Sequence, residues 1–227
     1  MISFIIPAYN EEKYIRNCIY SIQKACPYDH EIIVADDSSK DGTKPFAKGH
    51  GALVYTTKCR QLGKIRNFGA SKASGDLFVF VDADTMITSS ALEEVLSMRN
   101  ICKAGCAYAN YYDLKHSWFH DKMMQFYTWY CSKVWRVCSG YFMWCNARDF
   151  KDGFDEDYYL FEDVWFSRKF AKQDFYFGKC RVMTSGRKTW THNFLLRILP
   201  FLVRYTIQGK KLLKKRDKLG IWYDGVR

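Results

Sequence analysis

The feature that most constrains this chain is a series of apolar runs that each break off into acids and amides. ISFIIPA (2–8) leads into Tyr9-Asn10-Glu11-Glu12, EIIVA (31–35) into Asp36-Asp37-Ser38, and LFVFV (77–81) into Asp82-Ala83-Asp84. A run that is apolar at nearly every position, and not at every second one, has both faces covered. That is the pattern of a strand in a parallel sheet with helices above and below. Between the runs, Tyr14, Ile15, Cys18, Ile19 and Ile22 recur at helical spacing, with Asn10 placed as the N-cap. LGKIRNFGASKAS (62–74) reads as a second helix that ends at Gly75, and ALVYTT (52–57) as a short strand. The alternation predicts an α/β fold, Rossmann-like, with a mostly parallel central sheet and helices on both faces.

After Thr85 the rhythm changes. SSALEEVLSMRN (89–100) predicts a helix and CKAGCAYANYYDL (102–114) a strand, and the aromatic stretch from Trp118 to Trp144 shows no clean alternation. Residues 146–172 hold seven acids, with a helix starting near Glu162, and FYFGKCRVMTS (175–185) predicts a late strand. The segment from Asn193 reads as a basic amphipathic helix interrupted at Pro200, with Leu195, Leu196, Leu199, Leu202 and Val203 near one face.

Composition narrows the class. Hydrophobic content of 48% and aromatic content of 18% exclude a solvated, disordered chain. Nine cysteines without a C-x-x-C pair exclude a zinc knuckle, and Cys131, Cys138 and Cys145 read as small buried apolar residues. The N-terminal residues carry no basic region or cleavage site, and no apolar run reaches transmembrane length, so a cytoplasmic protein is expected. Residues 187–227 hold eleven Lys and Arg against two Asp, which accounts for most of the net charge of +11. So basic an end on a near-neutral body points to an anionic partner: an anionic membrane surface met by residues 193–218, or a terminal helix packed on the domain with solvated lysines. Nucleic acid is not expected, because three acidic strand ends would repel a polyanion.

Ligands of open α/β sheets bind beyond the carboxyl ends of the strands. Three acidic clusters there would form one shared crevice. Asp82 and Asp84, at i and i+2 on extended chain, would point to the same side and suit a hard divalent ion, Mg²⁺ or Mn²⁺. Asp82 capping a turn and Asp84 capping the helix near Thr88 is the competing reading, and both stand at this point.

PAYNEE after the first strand, VADDSSKDGT after the second, GKIRNFGASKASGDLFVFVDAD and FEDVWFSRKF together resemble the family 2 glycosyltransferases of GT-A fold, in order and spacing over residues 2–172. The resemblance implies a metal-dependent, inverting transfer of one sugar from a nucleotide-sugar, a UDP-sugar, to a hydroxyl acceptor. It implies that Pro7, Ala8, Tyr9 and Glu11 line the nucleotide pocket and that Asp37 contacts the base. Lys64 and Arg66 would face the diphosphate, and Asp82 the ribose or sugar. Asp84 and His192 would bind the metal, and Asp163 would be the catalytic base. It also divides the chain into a catalytic domain, 1–192, and a basic extension, 193–227. The domain's nucleotide-sugar half would be 1–110 and its acceptor half 111–192. Ser38 stands where the family has a glycine, and the Q-x-x-R-W motif of processive synthases is absent; Gly186-Arg187-Lys188-Thr189-Trp190 does not replace it.

The chemistry suits these residue types. Expelling a nucleoside diphosphate builds charge on phosphate, which a metal ion and cations stabilise, while the attacking hydroxyl needs a carboxylate base on the opposite side. Two alternatives remain: a sugar-nucleotide nucleotidyltransferase, which lacks its Gly-rich phosphate loop here, and a basic membrane or nucleic-acid binding protein.

Overall fold

The structure is a computed structural model that describes residues 1–113, 138 and 140–187. The elements run β1 (Ile2–Ala8), α1 (Ile15–Ala25), β2 (His30–Asp36), α2 (Thr43–Gly49), β3 (Leu53–Thr56), α3 (Leu62–Ala70) and β4 (Leu77–Val81). They continue with β5 (Thr85–Met86), α4 (Ser89–Met98), β6 (Ala104–Tyr111), β7 (Phe142–Asn146), α5 (Glu162–Arg168) and β8 (Phe175–Thr184). One sheet holds all these strands in the order β3-β2-β1-β4-β7-β6-β8-β5.

The β3-β2-β1-β4 half is wholly parallel, as is β6–β8, while β7 runs antiparallel to both β4 and β6 and β5 antiparallel to β8. The sheet is therefore mixed and parallel-dominant. The pattern of acids and apolar runs did not foretell β7. Its five residues are buried throughout, so FMWCN carries no alternation that would separate it from the aromatic stretch before it.

Two cores flank the sheet. Phe4 and Ile6 of β1 and Leu77, Val79 and Val81 of β4 point to one, beneath α1 and α4. Ile5, Phe78 and Phe80 point to the other, which Phe154 and Phe166 complete. This period-two division of continuously apolar strands is what covering both faces requires. On α1, Ile15, Cys18, Ile19 and Ile22 are fully buried; each such isoleucine contributes about 2 kcal/mol by leaving water.

Asn10 does not cap α1. The helix begins at Ile15, and Asn10 has a left-handed backbone (φ 54) with its side-chain oxygen accepting the Lys40 N–H at 2.9 Å. Helix α3 ends at Ala70, short of the expected Gly75. Gly75 lies against β1, its N–H donating to the Ser3 hydroxyl at 2.8 Å, so the chain must already have left the helix to enter β4. Gly69 lets α3 sit directly on the sheet: a Cβ there would come within 2.5 Å of Ile5 Cγ2. The eight described cysteines are free thiols, Cys138 and Cys145 among the buried ones. No helix among the described residues is long and apolar enough to cross a membrane.

Candidate active site

The chain order reverses at β1: β2 and β3 lie on one side of it and β4 on the other. Pairing of β1 with β2 continues to Ala8↔Asp36, but pairing with β4 stops at Ile5↔Phe80. Proline supplies a reason. The Ala8 carbonyl accepts the Asp37 N–H at 2.8 Å, so Ala8 faces β2. Its neighbour Pro7 therefore faces β4 and has no N–H to extend that ladder. Beyond this point β4 turns to its other neighbour, and the Asp82 N–H donates to the Tyr141 carbonyl at 3.1 Å. The strands part where an open α/β sheet binds its ligands.

Loops from β1 and β2 are tied together on one rim. The Glu11 N–H donates to Thr43 Oγ1 at 2.7 Å, the Asn10 N–H to Ser39 Oγ at 2.9 Å, and Gly42 N–H to Glu12 Oε2 at 2.8 Å. Asp37 is buried, and both its carboxylate oxygens meet the Arg60 N–H at 3.1 and 3.0 Å. Pro7 and Ala8 end β1 beside it, Tyr9 is half-buried, and Lys64 is half-buried on α3.

The pair Asp82 and Asp84 is not extended. The Thr85 N–H closes a turn onto the Asp82 carbonyl at 2.9 Å, so the two carboxylates diverge to different cations. Nor does Asp84 cap α4, since Thr88 does so by accepting the Ala91 N–H at 3.2 Å.

Asp82 belongs to a network centred on Arg66. This guanidinium is 1% exposed, with Nη1 2.6 Å from Glu162 Oε1 and Nη2 2.9 Å from Asp82 Oδ1 and 3.0 Å from the Gly140 carbonyl. It also lies over the Phe154 ring at 5.4 Å. A buried cation is tolerated only when so paired, and Arg66, which the resemblance set facing the diphosphate, is turned inward onto Asp82 and Glu162. Asp163 follows Glu162 in the first turn of α5. Burial, and then the charge of Glu162, push its carboxyl up to about 7, against the pull of Arg66. Gly140 makes room for it: a Cβ there would lie 2.9 Å from Asp163 Oδ2 and 3.2 Å from Arg66 Nη2. Phe161, just before the acidic pair, holds a left-handed backbone (φ 60), a strained conformation for an aromatic residue. The GFDE loop leading to it is fastened to α3, with Gln61 Nε2 donating to the Glu156 and Tyr158 carbonyls at 2.6 and 2.7 Å.

Asp84 belongs to a second cluster. Arg187 Nη2 lies 3.0 Å from Asp84 Oδ2 and 2.5 Å from Glu11 Oε2, and its guanidinium covers the Tyr14 ring at 4.2 Å. Asp113 fixes the approach to Arg187, accepting from the Ser185 hydroxyl and from the Gly186 N–H at 2.6 Å. Sequence reasoning missed Arg187 and the Arg66–Glu162 pair. Partners separated by 103 and 96 residues leave no spacing to read. His192 lies outside the described residues, as do the basic extension and most of the aromatic stretch.

Residues 3–176 match the profile described as glycosyl transferase family 2. The chain belongs to this family. The match favours this family over the nucleotidyltransferase and binding-protein alternatives. Among curated relatives of the chain, Glycosyltransferase GlyA of Streptococcus pneumoniae is 31% identical over 121 residues, covering 51% of this chain and 17% of GlyA. The UDP-Glc:alpha-D-GlcNAc-diphosphoundecaprenol beta-1,3-glucosyltransferase WfgD of Escherichia coli is 30% identical, covering 49% of this chain and 46% of WfgD. The chain thus spans less than half the length of either relative. Among solved structures, the mannosyltransferase PcManGT from Pyrobaculum calidifontis, in complex with GDP-Man and Mn²⁺, superposes with a TM-score of 0.70 at 19% identity. That likeness covers 92% of this chain and 64% of PcManGT. The architecture is the GT-A fold.

Proposed function

We propose that this family 2 glycosyltransferase transfers a single sugar from a UDP-sugar to a hydroxyl acceptor, with inversion and with a divalent ion. The observation that carries this reading is the separation of two acidic sites in one crevice. Glu11 and Asp84 meet on a single cationic nitrogen, while Asp163 stands apart beside Gly140 with its carboxyl raised to about 7.

The first site fits a metal ion. Two carboxylate oxygens lie within 3.0 Å of one positively charged point, the hard-oxygen donor set that Mg²⁺ or Mn²⁺ takes. When bound, the ion would supply charge neutralisation for a leaving diphosphate. Glu11 and Asp84 would hold it, joined by His192 in the reading from family resemblance. Asp37, Tyr9 and the β1 terminus would hold the base and ribose, and Asp82, oriented by Arg66, the ribose or sugar. A carboxyl titrating near 7 accepts a hydroxyl proton well at neutral pH, so Asp163 is the base: it takes the proton of the acceptor hydroxyl, whose oxygen attacks the anomeric carbon from the face opposite the leaving diphosphate and inverts that centre. WfgD supports a UDP-sugar and a lipid-linked acceptor, PcManGT a manganese ion. The same reading takes the acceptor as membrane-proximal, on the cytoplasmic face.

Calorimetry with UDP, with and without Mn²⁺, tests it. Asp84→Ala should abolish the metal-dependent part of binding, and Asp163→Asn should retain binding while transfer falls by at least about a hundredfold, the scale of a lost general base. Binding indifferent to Asp84, or turnover surviving at Asp163, would refute the corresponding assignment.

A further inference from the structure

We propose that Arg187 is a resident counter-cation that occupies the ion position between Glu11 and Asp84 and yields it when a divalent ion arrives with a diphosphate. This inference rests on the reading above that these two carboxylates take the metal. One nitrogen, Nη2, serves both of them, at 2.5 Å to Glu11 Oε2 and 3.0 Å to Asp84 Oδ2. A metal ion would need the same oxygens, and two cations cannot share that point without a further anion between them. Guanidinium and metal therefore compete.

Three observations make the contact displaceable and not merely structural. Among the described residues Arg187 Nε is buried without a hydrogen-bond partner, so the guanidinium is incompletely satisfied by them where it stands. The clasp from Asp113 holds the Ser185 hydroxyl and the Gly186 N–H and makes no contact with the guanidinium itself, so moving the Arg187 side chain about its own torsions does not require that clasp to open. A cleft of about 360 Å³ borders the Arg187 side chain and is also lined by Glu12, Lys13, Tyr14, Lys40 and Asp41, so a displaced guanidinium has space there and two further carboxylates, Glu12 and Asp41, to face. Charge explains the coupling. Two carboxylates and one guanidinium sum to one negative charge; replacing that contact with a divalent ion leaves a released guanidinium, which a diphosphate can accept as a bidentate partner. Metal alone has no such compensation, so it should bind weakly until the nucleotide is present.

The test is titration of Mn²⁺ into the full chain, following the free ion by electron paramagnetic resonance, without and with saturating UDP. Arg187→Gln should bind Mn²⁺ alone about tenfold or more tightly than the natural chain, the scale of one lost charged hydrogen bond, and UDP should then add little. Arg187→Lys, which keeps the charge but loses the forked geometry, should fall between them and stands in if the Gln variant does not fold. Asp84→Asn should lose Mn²⁺ binding in every case. Equal Mn²⁺ affinity in the natural chain and the Arg187 variants, with Asp84→Asn still defective, overturns the counter-cation while sparing the metal site. Binding that ignores Asp84→Asn overturns the metal site itself, and the counter-cation with it.

Discussion

Ser38 carries a left-handed backbone, φ 62, at the position where the resembling sequences have glycine. For a residue with a Cβ that conformation costs on the order of 1 kcal/mol. The Ser38 hydroxyl offsets it by donating to the Thr57 carbonyl at 2.7 Å, which ties the β2 loop to the end of β3. Two substitutions separate these effects in urea denaturation. Ser38→Ala keeps the strain and loses the bond, and should lower stability by about 1 kcal/mol. Ser38→Gly loses both and should change it by less than about 0.5 kcal/mol. The substitution thus leaves Asp37, next to it, in the buried position against Arg60 that the loop requires. At this scale the sequence was legible where one residue answers to its neighbours. Asp37, Asp84 and Asp163 could all be singled out, whereas the partner of each carboxylate could not.

Among the elements, α5 matters most, because its first turn carries Glu162 and Asp163. Burial and the Glu162 charge both raise the Asp163 carboxyl, to about 7. A base must be deprotonated to act, so kcat/KM should rise with pH through about 7, well above the range of an ordinary aspartate. Glu162→Gln removes a negative neighbour and frees Arg66 to act more strongly on Asp163. Both changes favour the carboxylate, so the acid limb of the pH–rate profile should move to lower pH. An unmoved limb would assign it to another group. The start of α5 near Glu162 was readable from its polar-to-apolar change, as were α1 and α4 from periodicity. Helix α3 ran too long in the sequence, since Ser71 to Ser74 carry no stop signal strong enough to mark Ala70. Strands β5 and β7 were missed, one for its two-residue length and the other for its unbroken burial.

At the scale of the whole molecule, the sheet brings residues 11, 84 and 187 to one point and residues 66, 82, 140 and 163 to another. The basic extension is the remaining whole-chain feature. A membrane-proximal acceptor would be served by residues 193–218, and sedimentation with vesicles containing anionic lipid tests this. The intact chain should pellet, more weakly as salt rises past the Debye range, and a chain truncated after Asn193 should stay in solution. Equal sedimentation of the two would remove the membrane from the reading.

The sequence by itself determined the α/β class, the buried strands and the acids at their ends, because burial on two faces and the chemistry of carboxylates both act over a few neighbouring residues. Only the tertiary structure decided that Asp82 and Asp84 part company, one to Arg66 and the other to Arg187. A turn of four residues reversed the direction of one carboxylate, and the cations that receive them come from a helix and a strand end far apart in the chain. Electrostatic pairing depends on distance in space, and that distance exists only once the sheet has formed.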